Sequence, residues 1–539
     1  MINLKKYCFD LIFLLLLFFF IYNLSAIYSA FYSDLHHWGF IATSALDYIN
    51  GRLLFKEVLV HYGVGQLIFF DLINNFYKIN FTSIGNITSI IYYLNLLILY
   101  LIIKKISNFY ISIAFVSAIF FIHPFIIYPW PDYLAGLCLS LFFYSTLSNR
   151  NFYLLPGFFL FLAIIFRSTY LVGIFFSIIA YFFFTNFNKK LHSNHLAKIF
   201  LTFLIFLTFY LFYLFFNNVL IDWFFQSIGA ITNYVKFSQD PAFGFSDKLS
   251  DKLLSYIYNN FGNLYFFIFQ LCKFLIKFII NILLPKTIED FVFLIFYIIN
   301  ILFIFLSIFK KKYILYFPFN NEKKAIFLFF SLLGFFGIIQ SLYAFNFFRN
   351  FNASSSVFLL SAILFNDFLK KNFLKKIKIY ILVIIFILGL FINFFNMSKS
   401  MIEIDKSLFQ NSSIKYFGNR NFTKEDLEYY SSLNIFVCKD NKKIFNFTID
   451  FNLTYLCNNK DFFHFVIMGW YSKKDALIMK DFLAGSFDKN TIYISTLGPN
   501  IKNFRAENVV IPPESISYFI QRSYSLDMYR SSKIYIYQK

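Results

Sequence analysis

Charge is scarce in this sequence. Only 14% of its 539 residues are Asp, Glu, Lys or Arg, where a soluble protein carries roughly a quarter. A water-soluble globular chain is excluded. The acidic sign is the scarcer one, 28 residues against 48 Lys and Arg, which leaves a net charge of +20. In a soluble protein that excess would suggest nucleic acid. Here the lysines cluster between apolar runs, and the retention of positive loops on the cytoplasmic side accounts for them with no nucleic-acid partner. Cysteine is also scarce. Cys8, Cys138, Cys272, Cys438 and Cys457 include no C-x-x-C pair and no zinc spacing, so neither a disulfide scaffold nor a metal knuckle is encoded. There is no phosphate loop, because Tyr62-Gly63-Val64-Gly65-Gln66 lacks the Lys-Ser/Thr pair and the preceding strand. No Ser-His-Asp arrangement and no paired Cys-His spacing supports hydrolysis.

What is present is apolar. Hydrophobic residues make up 59% of the chain, with 87 Phe and 39 Tyr, the composition of a multi-pass membrane protein. The run from Phe9 to Ala30 comes after Lys5 and Lys6 and is long enough to cross a bilayer core of ~30 Å. A cleaved signal peptide ending at Ser29-Ala30 is the alternative, disfavoured because its apolar region usually has only roughly 7–15 residues. Later spans are expected over Ile84–Ile103, Phe109–Tyr128, Tyr133–Leu147, Ile199–Leu220, Phe291–Phe309, Ala325–Phe345, Val357–Leu369 and Ile379–Phe395. Leu154–Phe184 is interrupted by Arg167-Ser168-Thr169 and reads as two short helices meeting at Arg167 near the outer side. Asn263–Leu284 carries Lys273 and Lys277 and reads as an interfacial or re-entrant helix. That gives about eleven spans with every Lys-rich loop on one side and the N-terminus cytoplasmic. From Met397 onward polar residues become frequent and apolar runs shorten to strand length. Asn434–Cys438, Phe463–Met468, Thr491–Thr496, Asn508–Ile511 and Lys533–Tyr537 read as strands and Ser472–Phe482 as a helix. The expected fold class is therefore an all-α polytopic membrane domain over 1–396, with a small α/β extracytoplasmic domain over 397–539. A Cys438–Cys457 disulfide is open in an oxidising compartment.

Polar chemistry concentrates in the first outer loop, Phe31 to Gln66. It contains Asp34, His36, His37, Arg52, Lys56, Glu57, His61 and Tyr62. Trp38–Tyr48 has helical spacing that Ser33 or Asp34 would cap and Gly51 would end. Asp34 is thus either a helix cap or a carboxylate placed to deprotonate an acceptor hydroxyl. A metal on Asp34 with a neighbouring histidine is a further alternative. Of the four arginines before residue 397, Arg52, Arg167 and Arg349 fall at outer ends of segments and only Arg150 falls inside. Arginine presents a planar bidentate donor suited to phosphate, although each could equally snorkel to headgroups. Asp132, in YPWPDY, is the second outer carboxylate; a turn residue after proline is its structural reading.

Asp34 in YSDLHHWGF, the NGRLLFKEVLVHYG stretch after it and Asp132 in YPWPDY resemble the GT-C superfamily of polyprenyl-phosphate-sugar-dependent glycosyltransferases. The protein mannosyltransferase and lipid A aminoarabinose transferase branch is nearest. The resemblance covers residues 1–396 in layout and only these motifs in detail. It implies transfer of a sugar from a polyprenyl-phosphate carrier to a glycan, lipid or protein acceptor at the outer face of a bacterial plasma membrane. It also implies Asp34 as catalytic base, Asp132 as supporting acid, and Arg52 or Lys56 as phosphate contacts, with His36, His37, His61, Tyr62, Arg167 and Arg349 around the substrate. The chain departs from the pattern at His36-His37, where the mannosyltransferases commonly carry Glu, so use of a divalent metal stays open. Two rivals remain: a flippase, polymerase or ligase for lipid-linked envelope polysaccharide, and a transporter. The transporter predicts charges deep in several spans, and apart from Arg167 the clear spans are nearly free of charge.

Overall fold

The computed structural model describes residues 2–31, 37–58, 60, 62–126, 128–148, 152–187, 192–228, 285, 287–309, 321–341, 347–371 and 387–399, with short segments between 403 and 538. The chain divides into two compact units. The first comprises Met1–Tyr28, Gly85–Tyr213 and Leu271–Ile404, the second Ser29–Ile84, Leu214–Gln270 and Asp405–Lys539.

The protein is mostly helical, because a backbone in lipid must satisfy its own hydrogen bonds and a helix does so within one segment. Among the described residues four helices are long and apolar enough to cross a membrane: Cys8–Ser29, Phe81–Ile106, Asn194–Phe216 and Ile288–Phe305. They belong to α1 (Ile2–Phe31), α4 (Phe81–Ile106), α9 (Asn194–Phe216) and α11 (Ile288–Phe309). Large apolar side chains stand exposed on them, among them Phe209, Phe212 and Phe216 of α9, as lipid-facing surfaces require. Between them lie α2 (His37–Ile49), α3 (Val64–Asn74), α5 (Phe109–Ile122), α6 (Asp132–Ser148), α7 (Leu154–Phe166), α8 (Tyr170–Phe187) and α10 (Leu220–Trp223). Next in the chain are α12 (Asn321–Gly337), α13 (Phe347–Ala353), α14 (Ser356–Lys371) and helical residues 387–399.

Three boundaries depart from the sequence reading. α5 ends at Ile122 rather than near Tyr128, because Pro124 succeeds His123 and the residue before a proline is pushed out of the helical region. α12 stops at Gly337 and passes into a 3-10 turn over Ile338–Ser341, and the end of the expected span, residues 342–345, lies outside the described residues. The seven-residue α13 has no counterpart among the expected spans. The division of the long apolar run into α7 and α8 at Arg167 is as expected.

Small and polar residues set the helix contacts of the first unit, as they do where lipid removes the ordinary hydrophobic drive for association. Asn95 of α4 donates to Asn352 of α13 at 3.2 Å and accepts from Ser140 of α6 at 2.6 Å. All three are buried. Gly136 is what lets α13 lie this close to α6. A methyl group there would stand 2.9 Å from Asn352 Cβ and would collide with its Oδ1. Gly136→Ala is expected to destabilise the protein by about 1–3 kcal/mol through overpacking, measured as a lowered melting temperature of the purified protein in detergent. A similar approach joins α12 to the end of α13, where a Gly337 methyl would collide with the Ala353 carbonyl, 2.9 Å from its carbon. Asn300 and Ser331 pair across α11 and α12, with Ser331 donating to Asn300 Oδ1 at 2.6 Å. Asp10 of α1 receives both Tyr100 and Lys104 of α4.

The second unit contains a five-stranded sheet in the order β4 (Phe462–His464), β3 (Lys443–Phe447), β5 (Thr491–Ser495), β7 (Ser532–Gln538), β6 (Ile516–Arg522). β3 runs parallel to β4 and β5, and β7 runs antiparallel to β5 and β6. A small antiparallel pair, β1 (Phe409–Asn411) and β2 (Asn421–Thr423), precedes it. Phe445 stacks on Tyr493 across the parallel pair at 5.3 Å, one of the cross-strand contacts that stabilise a sheet. Three expected strands recur in β4, β5 and β7; β3 and β6 have no counterpart in the sequence reading. The expected helix Ser472–Phe482, the strand Asn508–Ile511 and the re-entrant helix Asn263–Leu284 lie outside the described residues. Cys438 is disulfide-bonded, and Cys457 lies outside the described residues.

Candidate functional site

The first unit holds a buried ionic cluster assembled at helix ends. Asp132 is the first residue of α6, where the positive end of the helix dipole favours a carboxylate. Arg167 is the C-cap of α7, with φ −141° and ψ 91°, where the negative end favours a cation. Their side chains meet at 3.5 Å, and both are buried, 0% exposed for Asp132 and 7% for Arg167. Tyr170, the first residue of α8, directs its hydroxyl to the same Asp132 oxygen at 3.5 Å. The break between α7 and α8 is closed by the Tyr170 and Leu171 amides donating to the Arg167 and Ser168 carbonyls at 2.9 and 3.1 Å.

Arg349, on α13, completes the cluster. Its guanidinium lies 5.1 Å from the centre of the Trp130 ring, and that of Arg167 lies 5.9 Å from the same ring. One indole thus carries two cations, an arrangement worth roughly 0.5–2 kcal/mol per contact depending on desolvation. Trp130 reaches this position because residues 123–126 and 128–131 run non-helically between α5 and α6. Most of that stretch is buried, the condition under which irregular backbone is tolerated at membrane depth. Pro124, Pro129 and Pro131 prevent it from continuing α5.

Arg167 thus pairs with Asp132 and shares the Trp130 ring with Arg349. The second Asp132 oxygen, Oδ2, is buried and has no hydrogen-bond partner among the described residues. Chemically the cluster can take an anion against the guanidinium groups and a hydroxyl proton at Asp132 Oδ2. Beside it, His123 shares a 2.8 Å hydrogen bond with the Tyr133 hydroxyl, and Tyr92 donates to the His123 carbonyl at 2.5 Å. His123 is thus part of a packed aromatic wall.

The first-loop residues belong to the second unit. α2 ends as the sequence suggests, at Gly51 with φ +86°. The Gly51 amide donates to Tyr48 O at 2.9 Å and the Arg52 amide to Asp47 O at 3.1 Å, the bond pair of a Schellman motif. The Arg52 side chain closes the same turn by an ion pair with Asp47 at 3.0 Å. Arg52 accordingly has a helix-closing role visible in the structure. Glu57 also locks the loop, its Oε2 accepting from the Leu53 amide at 2.9 Å. Gln226 holds the loop from outside: its amide oxygen accepts from the Val60 N–H at 3.0 Å, and its amide nitrogen donates to Phe55 O at 2.7 Å. Lys56 is exposed and near enough to Asp222 to oppose the upward shift that burial gives that carboxyl. Tyr62 packs edge-on against Phe40 at 5.7 Å. Asp34, His36 and His61 lie outside the described residues, as does the His37 side chain. Among the described residues no group of three or more His, Cys, Asp or Glu is placed to hold a metal.

The structure thus unites Asp132, Arg167 and Arg349, three of the polar residues singled out in the sequence. It adds Trp130 and Tyr170, which the sequence reading missed. Tyr170 had a legible signal, three residues past the arginine that breaks the apolar run. Gln226 had none, lying in a Phe-rich stretch far along the chain. Compared with known proteins, the chain matches no family model and no curated sequence.

Proposed function

We propose that this membrane protein is a GT-C-type glycosyltransferase that moves a sugar from a polyprenyl-phosphate carrier to a cell-envelope acceptor at the outer face of the membrane. The observation that carries the reading is the pair of guanidinium groups on Trp130 beside a single buried carboxylate. A phosphodiester has the charge and geometry to meet such a pair, and the carrier's departing phosphate gains negative charge as the sugar leaves. Fixed cations in a low-dielectric site stabilise that charge without reorganising. Asp132, through Oδ2, supports the reacting groups by accepting a hydroxyl proton or hydrogen bond. Asp34 is the catalytic base of this proposal, with Arg52 or Lys56 as a further phosphate contact and His36, His37, His61 and Tyr62 around the substrate. A divalent metal at Asp34 is a variant of the same mechanism. About eleven spans, an inner N-terminus and an outer 397–539 region complete the proposed topology.

The test is transfer of labelled sugar from a panel of polyprenyl-phosphate-sugars by purified, reconstituted protein, with and without chelator. Asp34→Asn is expected to lower transfer by about 10²–10⁴-fold, the range a positioned base contributes, while leaving the melting temperature near that of wild type. Transport of lipid-linked glycan across the bilayer, with no transfer from any donor, would replace this proposal with the flippase.

A further inference from the structure

α3 has two apolar faces and only one is covered. Val64, Leu67 and Phe70 are buried within the second unit. Away from them, Ile68 and Leu72 stand four residues apart on one edge of the helix, and Phe76 is in the turn that ends α3. They are exposed, and Phe76 most of all at 93%. Tyr77 is also exposed, and Lys78 is next to it in the chain. From Val64 to Tyr77 the one charged residue is Asp71. The helix has 11 residues, about 16 Å at 1.5 Å per residue, and cannot cross a core of ~30 Å.

The short connection to α4 fixes the position of this edge along the chain. α4, one of the helices long and apolar enough to cross a membrane, begins at Phe81, and hydrogen bonds tie the turn between. The Phe76 and Tyr77 amides both donate to Ile73 O at 2.8 Å. Asn74 Oδ1 receives the Ile79 amide at 3.0 Å. Asn80 and Ser83 cap α4 reciprocally, with amide-to-side-chain bonds of 2.7 and 2.8 Å. No slack separates the exposed edge from the point where α4 enters lipid. Tyr and Lys at that level are the side chains that settle at a membrane–water boundary, ring or stem in the apolar layer and polar tip in water.

We infer that Ile68 and Leu72 of α3, with Phe76 in the turn after it, lie in the outer headgroup–acyl boundary of the bilayer and hold the first loop at a fixed depth. The occupant of this face is lipid, continuous with the lipid around α4. The inference needs the membrane but not the transferase reading, so each can fail without the other.

The experiment introduces Phe76→Trp into the full-length protein and reconstitutes it in phosphatidylcholine vesicles with or without bromine on the acyl chains. The wild-type spectrum subtracts the four native tryptophans. The added emission is expected to fall about twofold or more in brominated lipid, as for an indole at the interface, and to resist aqueous iodide. Leu72→Glu combined with Phe76→Trp is expected to reverse that preference, since it charges the edge. Quenching by iodide and not by bromine would place the face in water and overturn the inference. Quenching by neither would show protein covering the face, and would overturn it equally. Bromine quenching unchanged by Leu72→Glu would overturn the assignment of the edge as the seat.

Discussion

Arg167→Met is expected to destabilise the protein by about 3–5 kcal/mol, the cost of leaving a buried charge uncompensated. Asp132 has 0% side-chain exposure and its ionic partner among the described residues is Arg167. Removing that partner leaves the buried carboxylate with the long 3.5 Å contact of the Tyr170 hydroxyl and no paired cation among the described residues. Adding Asp132→Asn to Arg167→Met is expected to recover most of the lost stability, because replacing both members of a buried pair is often nearly neutral. Melting temperatures of the two single variants and the double variant, in one detergent, give the coupling directly. Sugar transfer should not recover alongside. A double variant that regained both stability and transfer would make the ion pair purely architectural.

On the proposed function, Arg349→Lys is the second large effect, expected in sugar transfer rather than in folding. Lysine keeps the charge but loses the planar fork and the stacking on Trp130 and Phe348, where Arg349 lies 5.1 and 5.6 Å from the two ring centres. Transfer is expected to drop about 10²–10³-fold in kcat/KM, the scale of removing one preorganised donor from a developing anion. A titration of donor against initial rate measures it. Equal kcat/KM in Arg349→Lys and wild type would exclude the guanidinium as a phosphate contact.

Much of this site was legible because polar residues are rare enough here to be conspicuous. Arg167 interrupts an apolar run that is otherwise uniform, so the break between α7 and α8 could be placed to the residue. The grouping of Arg349 with Arg167 came from charge placement alone, before any geometry. Trp130 was invisible as a platform for the opposite reason. In a chain this rich in aromatic residues one more ring carries little information, and its role arises from three prolines that keep residues 124–126 and 128–131 out of a helix. α13 was hidden likewise, since Phe347–Ala353 is too short for apolar periodicity to register. The placement of Arg52 suggested a phosphate contact, while its ion pair with Asp47 is set by a glycine turn that brings residues five apart together. In the C-terminal region β5 and β7 were marked by alternating β-branched and aromatic residues. β3, KIFNF, was masked by its surrounding Lys and Asn.

The shortness of α5 and α7 has a consequence for the lipid itself. They contain 14 and 13 residues, about 20 Å of helix; α7 ends at Arg167 of the polar cluster and α5 at His123 of the aromatic wall beside it. A bilayer of ordinary thickness exceeds that length by about 10 Å. Hydrophobic mismatch of this size is relieved by thinning the membrane beside the short helices or by drawing headgroups inward. On the proposed function, where α5 and α7 span the bilayer, membrane thickness then becomes a variable of transfer: the rate is expected to fall as the acyl chains of the reconstituting lipid are lengthened.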